Sequence, residues 1–374
     1  MARKIKIAPI QMDAAPAPLG QRLVRAADLI AEAVSAGAQL VVLPELFNTG
    51  YEYHERNYAL AEPLDGETAT WMKAQSAEHR IHLAGTLLLK DEEEVYNSAL
   101  LIAPDGRVWR YDKHYPFAWE RAYFREGERI TVADTDLGKL GMMICWDSAH
   151  SELWERYAGK VDAMVIMSCP PAIYEPQIVF PDGERIPSGE LGGMWQTLDH
   201  SDMPVFGRDL DARAGWMGVP VVHTNGAGTF RTHLPLPVVS LGGYLAARPD
   251  LWARLEQAEQ TQIEARYDRQ AKVVNADGSV AARVMSDGDG FTLAEVEIAD
   301  HPPQPSGEQP PTSMPLPFFT LIDVITPALM NMLYRQGVRK QWGAQMAPVD
   351  PRTKVWAGVV IAAAVAGWVL GRRR

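Results

Sequence analysis

Apolar positions fall into two rhythms along this chain. Residues 5–11 alternate as a half-buried strand does, and 19–36 place Leu23, Ala26, Ala27, Ile30 and Val34 at helical spacing, with Gly37 behind them as a C-cap. Gln39-Leu40-Val41-Val42-Leu43 has the unbroken apolar run of a strand covered on both faces, and it stops at Pro44-Glu45. A second helix is expected over 66–80 and a third strand over 81–89. Strands at 95–102 and 107–111 flank Pro104-Asp105-Gly106, a hairpin turn. The polar and aromatic stretch 111–120 reads as a loop. Residues 139–144 form a short buried strand that ends on Cys145, before a helical pattern at 151–157. Another buried strand, 163–168, runs into Cys169-Pro170-Pro171. Residues 173–187 are turn-rich, and 190–217 read as helix with a break at Pro204. A strand at 219–224 ends in Asn225-Gly226, and 248–267 read as a surface helix. Strands at 271–274, 280–284 and 291–298 close the series. Strand and helix alternating in this way predict an α/β fold with layered sheets.

The rhythm changes after residue 300. Residues 301–317 are rich in proline, as a linker is. Residues 318–333 are apolar and roughly helical, with Pro327 interrupting them. This segment is expected to pack on the body, to bridge subunits or to lie in a lipid interface, where Arg335, Arg339 and Lys340 would suit anionic headgroups. The run 355–370 is uncharged and mostly apolar, with Trp356 and Trp368 near its ends and three arginines behind it. As a helix its roughly 16 residues would reach ~24 Å, against a hydrocarbon core of ~30 Å. Gly371, with Lys354 and Arg372 snorkelling, narrows the gap. The expected organisation is a catalytic body over 1–300, a linker over 301–317, an apolar and basic amphipathic segment over 318–354, and a transmembrane or membrane-anchoring helix over 355–371. The amino terminus lacks the apolar h-region of a signal peptide. The body is therefore expected on the cytoplasmic side of the cell inner membrane.

Composition narrows the function. Of 374 residues, 22% are charged and 47% hydrophobic, as in a globular chain with a sizeable core. A net charge of −11 leaves no basic excess to neutralise phosphates, which argues against nucleic-acid binding. The two cysteines, Cys145 and Cys169, make no disulfide framework and fit a reducing compartment. No CxxC or Cys/His cluster suggests zinc.

Three stretches set a chemically able side chain just past a strand or in a loop: Leu43-Pro44-Glu45-Leu46-Phe47, Tyr111-Asp112-Lys113-His114 and Met143-Ile144-Cys145-Trp146-Asp147. Taken singly, Glu45 reads as a solvated carboxylate, Lys113 as a surface charge and Cys145 as a small buried hydrophobe. Taken together they make a nucleophilic set. The carboxylate takes the thiol proton, the sulfur attacks a carbon bearing nitrogen, and the ammonium stabilises thiolate and oxyanion. A helix N-terminus behind Cys145 would add to the preference for thiolate. Cys169, flanked by prolines and without a motif, reads as structural.

In this order, glutamate, lysine, cysteine, the motifs resemble those of the nitrilase superfamily of carbon–nitrogen hydrolases, over residues 4–300. Pro44-Glu45 resembles that family's glutamate motif, Asp112-Lys113-His114 its lysine motif, and Gly141-Met142-Met143-Ile144-Cys145-Trp146-Asp147 its nucleophile motif. Glu120 resembles the second glutamate that many members keep near the lysine. Ala212-Arg213-Ala214 leading into Val219-Pro220-Val221-Val222-His223-Thr224-Asn225 adds support. The resemblance implies a four-layer α-β-β-α sandwich, pairing into a homodimer or larger homo-oligomer, with no metal or organic cofactor. It implies catalytic roles for Glu45, Lys113, Cys145 and Glu120. Tyr51, His114, Trp119 and Trp146 stand beside these motifs as the expected pocket lining. The expected activity is amidase-like hydrolysis of a non-peptide C–N bond through a cysteine thioester. Alternatives are hydrolysis of a nitrile, N-acyl transfer, or a silent scaffold at a membrane. Trp146 is shared with many true nitrilases, whereas Asp147 stands where those more often have glutamate. Two departures stand out. Gly215-Trp216-Met217 replaces an acidic residue and an asparagine, and the loops 173–187 and 229–267 are long, which places them over the pocket or at a subunit contact.

Overall fold

The computed structural model describes residues 3–171, 176–192, 204–267 and 271–343. The run 355–370 and the end of the 318–354 segment lie outside the described residues. Two sheets form the core. The first is built around Arg3–Asp13 and runs Asn225–Ala227, Arg3–Asp13, Leu40–Val42, His82–Asp91, Glu94–Ile102, Val108–Asp112. Ala294–Ile298 pairs antiparallel on Arg3–Asp13. The second runs Val280–Arg283, Lys272–Val274, Val221–His223, Ala163–Met167, Gly138–Ile144, Val132–Thr135. The chain passes from the second sheet to the first at Thr224. Its amide donates to the Ile166 carbonyl (3.1 Å), and its hydroxyl accepts from the Ser168 amide (3.0 Å).

Side-chain alternation decides which face meets which. Ile5, Ile7, Leu40, Val42, Ala99 and Leu101 from the first sheet meet Leu140, Met142, Ile144, Val165, Met167 and Val222 from the second. Their neighbours on the opposite face of the first sheet, Ala8, Ile10, Val41 and Leu83, pack on the helices Leu19–Ser35 and Glu67–His79. On the far face of the second sheet, Met143, Met164 and Ile166 pack on Ser151–Tyr157 and Arg208–Met217. The core thus stacks helix, sheet, sheet, helix. Burying a Val, Leu or Ile side chain contributes about 1.5–3 kcal/mol, whereas an exposed ion pair such as Lys4–Glu295 is screened by solvent and adds little. The layers are held by this apolar contact.

Two local expectations are overturned. Residues 248–267 are not one helix: Pro249–Gln260 is a 3₁₀ stretch and Gln262–Arg266 a strand. In that strand Ile263 and Ala265 are buried between outward Gln262, Glu264 and Arg266, the period of a strand. The long loops 173–187 and 229–267 pair with each other. Arg185–Pro187, Gln177–Val179, Gln262–Arg266 and Thr229–His233 form a four-stranded antiparallel sheet, and its core includes Ile178, Leu241, Tyr244 and Ile263. Within 190–217, the described residues hold a 3₁₀ turn at Ser188–Leu191 and a helix at Arg208–Met217.

Beyond residue 300 the chain is laid against the body. The Ser306 amide donates to the Trp216 carbonyl (2.9 Å), and Ser313 donates to both oxygens of Asp209. A long helix, Leu316–Trp342, follows. Pro327 does not interrupt it. A π stretch, Thr320–Ile325, precedes the proline, which then opens the α segment Thr326–Trp342. There its missing N–H leaves no bond unmade. Phe318, Ile322, Met330, Tyr334 and Val338 are buried on the body, while Leu316, Val324 and Met332 are exposed.

Candidate active site

Glu45 opens the turn that follows Leu40–Val42 in the first sheet, and Lys113 follows Val108–Asp112 in the same sheet. Cys145 follows Gly138–Ile144 in the second. The three meet at the seam between the sheets. Lys113 Nζ donates to Glu45 Oε1 (2.7 Å) and to Glu120 Oε2 (2.6 Å). The Cys145 thiol lies near enough to Glu45 for each group to influence the other's protonation. All four side chains are buried, with Lys113 wholly inaccessible.

Burial sets the electrostatics. It pushes the Glu45 carboxyl up to about 7, against the pull of the Lys113 charge and with a further push from Glu120. For Lys113 burial acts downward, but the charges of Glu120 and Glu45 outweigh it and hold the ammonium well above its usual range. Burial, then the charge of Glu45, push the Cys145 thiol up, and Lys113 only opposes them. The expectation of a favoured resting thiolate is therefore corrected. Nor does Cys145 open an α-helix: it begins a 3₁₀ turn, Cys145–Ala149, and the short helix starts at Ser151. The resting sulfur carries its proton, and Glu45, poised near neutrality, is the group placed to receive it.

The backbone here is strained. Leu46, Ala118 and Cys145 have φ of 50°, 45° and 49°, in the left-handed region where a β-carbon is crowded. Each lies at or beside a member of the set, and such outliers persist where surrounding contacts over-determine them.

The expected pocket residues are distributed around this centre. The Tyr51 hydroxyl donates to Glu120 Oε1, and the Phe117 amide donates to Glu120 Oε2 (2.6 Å). Trp119 stacks on Tyr244, 5.8 Å between ring centroids, and its Nε1 donates to Ser240 (3.2 Å). The four-stranded layer thus reaches the Glu120 loop. His114 stacks on Tyr111 at 5.1 Å, with its Nδ1 3.0 Å from the Asp112 carbonyl. Trp146 is buried against Phe117, Phe318 and Phe319. Among the described residues no group of three His, Cys, Asp or Glu side chains is arranged to hold a metal.

Residues 6–301 match the carbon–nitrogen hydrolase family. The chain belongs to that family. A nitrilase from Pyrococcus abyssi is 35% identical over 147 residues, 38% of this chain and 56% of that one. An omega-amidase from Xenopus laevis is 31% identical over 174 residues, 42% of this chain and 60% of its own. The match thus spans little more than half the length of these curated relatives. Among solved structures, an amidase from Nesterenkonia sp. aligns with a TM-score of 0.56 at 20% identity, over 78% of this chain and 89% of that one. A CN-hydrolase superfamily protein from Xanthomonas campestris, with an arsenic adduct in its active site, gives 0.54 at 17% over 78% and 91%. The mixed α/β architecture is thus of the nitrilase type.

Several residues that hold this carbon–nitrogen hydrolase site together escaped the sequence reading. Asn97 donates to Glu45 Oε1 (2.8 Å), while its carbonyl accepts from the Lys113 amide (2.9 Å). Asp147 Oδ1 accepts from the amides of His114 (3.1 Å) and Tyr115 (2.7 Å). Its Oδ2 accepts from the Tyr111 hydroxyl (2.7 Å) and the Ile144 amide (3.1 Å). One carboxylate therefore ties the lysine loop to the nucleophile turn. Arg213 is fully buried and donates to the Ser148 carbonyl, fixing the end of that turn. Asp147 stood inside a quoted motif and Arg213 inside a supporting one. Asn97 carried no signal beyond being a polar residue in an apolar strand.

Proposed function

We propose that this chain hydrolyses a small-molecule amide through a thioester on Cys145, with Glu45 as general base and acid and Lys113 as the oxyanion partner. The observation that carries the reading is the single ammonium held between two buried carboxylates, with the buried Cys145 thiol beside them. Glu45 takes the Cys145 proton as Sγ forms a bond to the carbonyl carbon. Negative charge moves onto the carbonyl oxygen, where Lys113 stabilises it. The C–N bond then breaks, and Glu45 returns the proton to the departing ammonia or amine. Water attacks the thioester, giving its proton to Glu45, and Cys145 leaves and is reprotonated. Glu120, held by Tyr51 and the Phe117 amide, keeps Lys113 charged and in place. In a mutant of the Nesterenkonia amidase, the acetamide moiety of fluoroacetamide adds covalently at the active-site cysteine, a different bond from the thioester proposed here but one made by a cysteine of the same fold. A nitrile is the second candidate substrate, favoured by the likeness to the Pyrococcus nitrilase. Ammonia release from a panel of small amides and nitriles tests both. Release from nitriles alone overturns the amidase reading, and release from neither overturns the hydrolase reading.

We also propose that the carboxyl-terminal region attaches this enzyme to a membrane. The run 355–370 supports this reading, being uncharged and closed by arginines. Leu316–Trp342 is long and apolar enough to cross a bilayer, but one face is buried on the body. That suits a helix lying in the interface better than one spanning it. Alkaline carbonate washing of membranes, with and without residues 355–374, is the test. An intact chain that washes off overturns the anchor. Assembly as a homodimer or larger is proposed on the family resemblance, and light scattering tests it.

A further inference from the structure

We propose that Asp323, carried by the helix that follows the family-matching region, is a positioning residue that locks the loops of Lys113, Glu120 and Cys145 in register. Asp323 Oδ1 accepts from Trp146 Nε1 (3.2 Å), the residue after the nucleophile. The same oxygen lies 3.4 Å from Arg121 Nη2, the residue after Glu120. Oδ2 lies 3.1 Å from His150 Nε2. His150 in turn stacks on Tyr115, 3.4 Å between ring centroids, and Tyr115 stands two residues beyond Lys113. One carboxylate therefore reaches the cysteine turn, the second-glutamate loop and, through one stacked ring, the lysine loop.

Apolar packing alone does not require this arrangement. Phe318 and Phe319 already seat the helix on Phe117, Trp146 and His150. Taking a carboxylate to 14% exposure inside such a cluster costs free energy unless its partners compensate. Here the compensating partners are side chains of the catalytic loops themselves. The opposite end of the helix is held differently. The Tyr334 hydroxyl bonds Glu94 and the Val95 amide (2.9 Å), in the strand hairpin. The helix therefore has one grip on the site and one on the scaffold. Residues 6–301 do not contain Asp323, so the site depends on a side chain from outside the family region.

The proposal rests on reading the site as hydrolytic, and the test separates the two. Asp323→Asn keeps the shape but removes the charge. It is expected to lower kcat by ~10-fold, the scale of a hydrogen bond to a charged group, with a smaller change in KM, and to slow iodoacetamide labelling of Cys145. Asp323→Glu keeps the charge and is expected to recover most of the kcat. Tyr334→Phe loosens the other grip and should lower Tm without moving kcat or labelling. If Asp323→Asn and Tyr334→Phe lower Tm alike and leave both kcat and labelling at wild-type values, Asp323 is only structural and the proposal fails. A wild-type chain that releases no ammonia sinks the hydrolase reading, while the labelling rates still decide the role of Asp323.

Discussion

Cys145 and Cys169 end adjacent parallel strands of one sheet, with Ile144 in register with Met167. Both are free, both are buried, and burial raises both thiols. Yet they do different work. Cys145 sits in the left-handed region, at φ 49°, and its thiol lies within the electrostatic reach of Glu45 and Lys113. Cys169 offers its backbone instead. Its amide donates to Glu45 Oε2 (3.1 Å), while its thiol is turned to Tyr267 and packed on Gly226. A nucleophile is therefore defined here by which atoms the backbone turns toward the carboxylate and the ammonium, not by burial or by being a free thiol.

The sharpest way to break this comparison is to remove each sulfur. Cys145→Ala should lower kcat by about 10⁴-fold or more, as removal of a nucleophile does. Cys169→Ala, which keeps the amide, should stay within a few-fold of wild type. Equal losses, measured as ammonia release, would erase the distinction. Next come the shared partners. Glu45→Gln cannot take the proton and should cost at least ~100-fold, and Lys113→Ala should be comparably severe. Glu120→Gln should cost less, and separate acylation and deacylation rates would show which step it serves.

The pH profile comes next in size. A protonated Glu45 cannot accept the thiol proton. With its carboxyl pushed up to about 7, kcat/KM should rise as pH increases through that value and fall about tenfold per unit on the acid side. An acid limb centred near 4.5 would mean that burial does not govern this carboxyl. Alkylation followed by peptide mass spectrometry should find Cys145 modified before Cys169, and Glu45→Gln should slow only the first. The smallest effect concerns the silent cysteine. A β-carbon at Gly226 would meet the Cys169 sulfur at 2.5 Å. Gly226→Ala should thus cost about 1–3 kcal/mol of stability, as overpacking does, with little change in kcat. A large kcat loss at unchanged Tm would give the Cys169 side a catalytic part.

What was legible in the sequence follows the same division. Glu45 and Cys145 each follow a short apolar strand, so the pattern that places the strand places the residue, whereas Lys113 follows a half-exposed strand and was placed by the resemblance of Asp112-Lys113-His114. The sheet of Gln177–Val179, Arg185–Pro187, Thr229–His233 and Gln262–Arg266 was not legible. Two of its strands have three residues, too few to show a period, and Gln262–Arg266 is made partly of helix formers that pairing overrides. Asp323 was hidden for another reason. In an apolar helix a single carboxylate reads as solvated, and nothing local says that its partners, Arg121, Trp146 and His150, are far back along the chain.

The crowded backbone at Leu46, Ala118 and Cys145 has a consequence for how this enzyme can change. A left-handed residue with a β-carbon costs roughly 1–2 kcal/mol, so Ala118→Gly would relieve strain at a position that carries no chemistry. It would also loosen the turn that presents Glu120. Selection for heat resistance would reach such positions early, and the variants it kept would be sturdier and slower. In this chain none of these three bends is relaxed by a glycine.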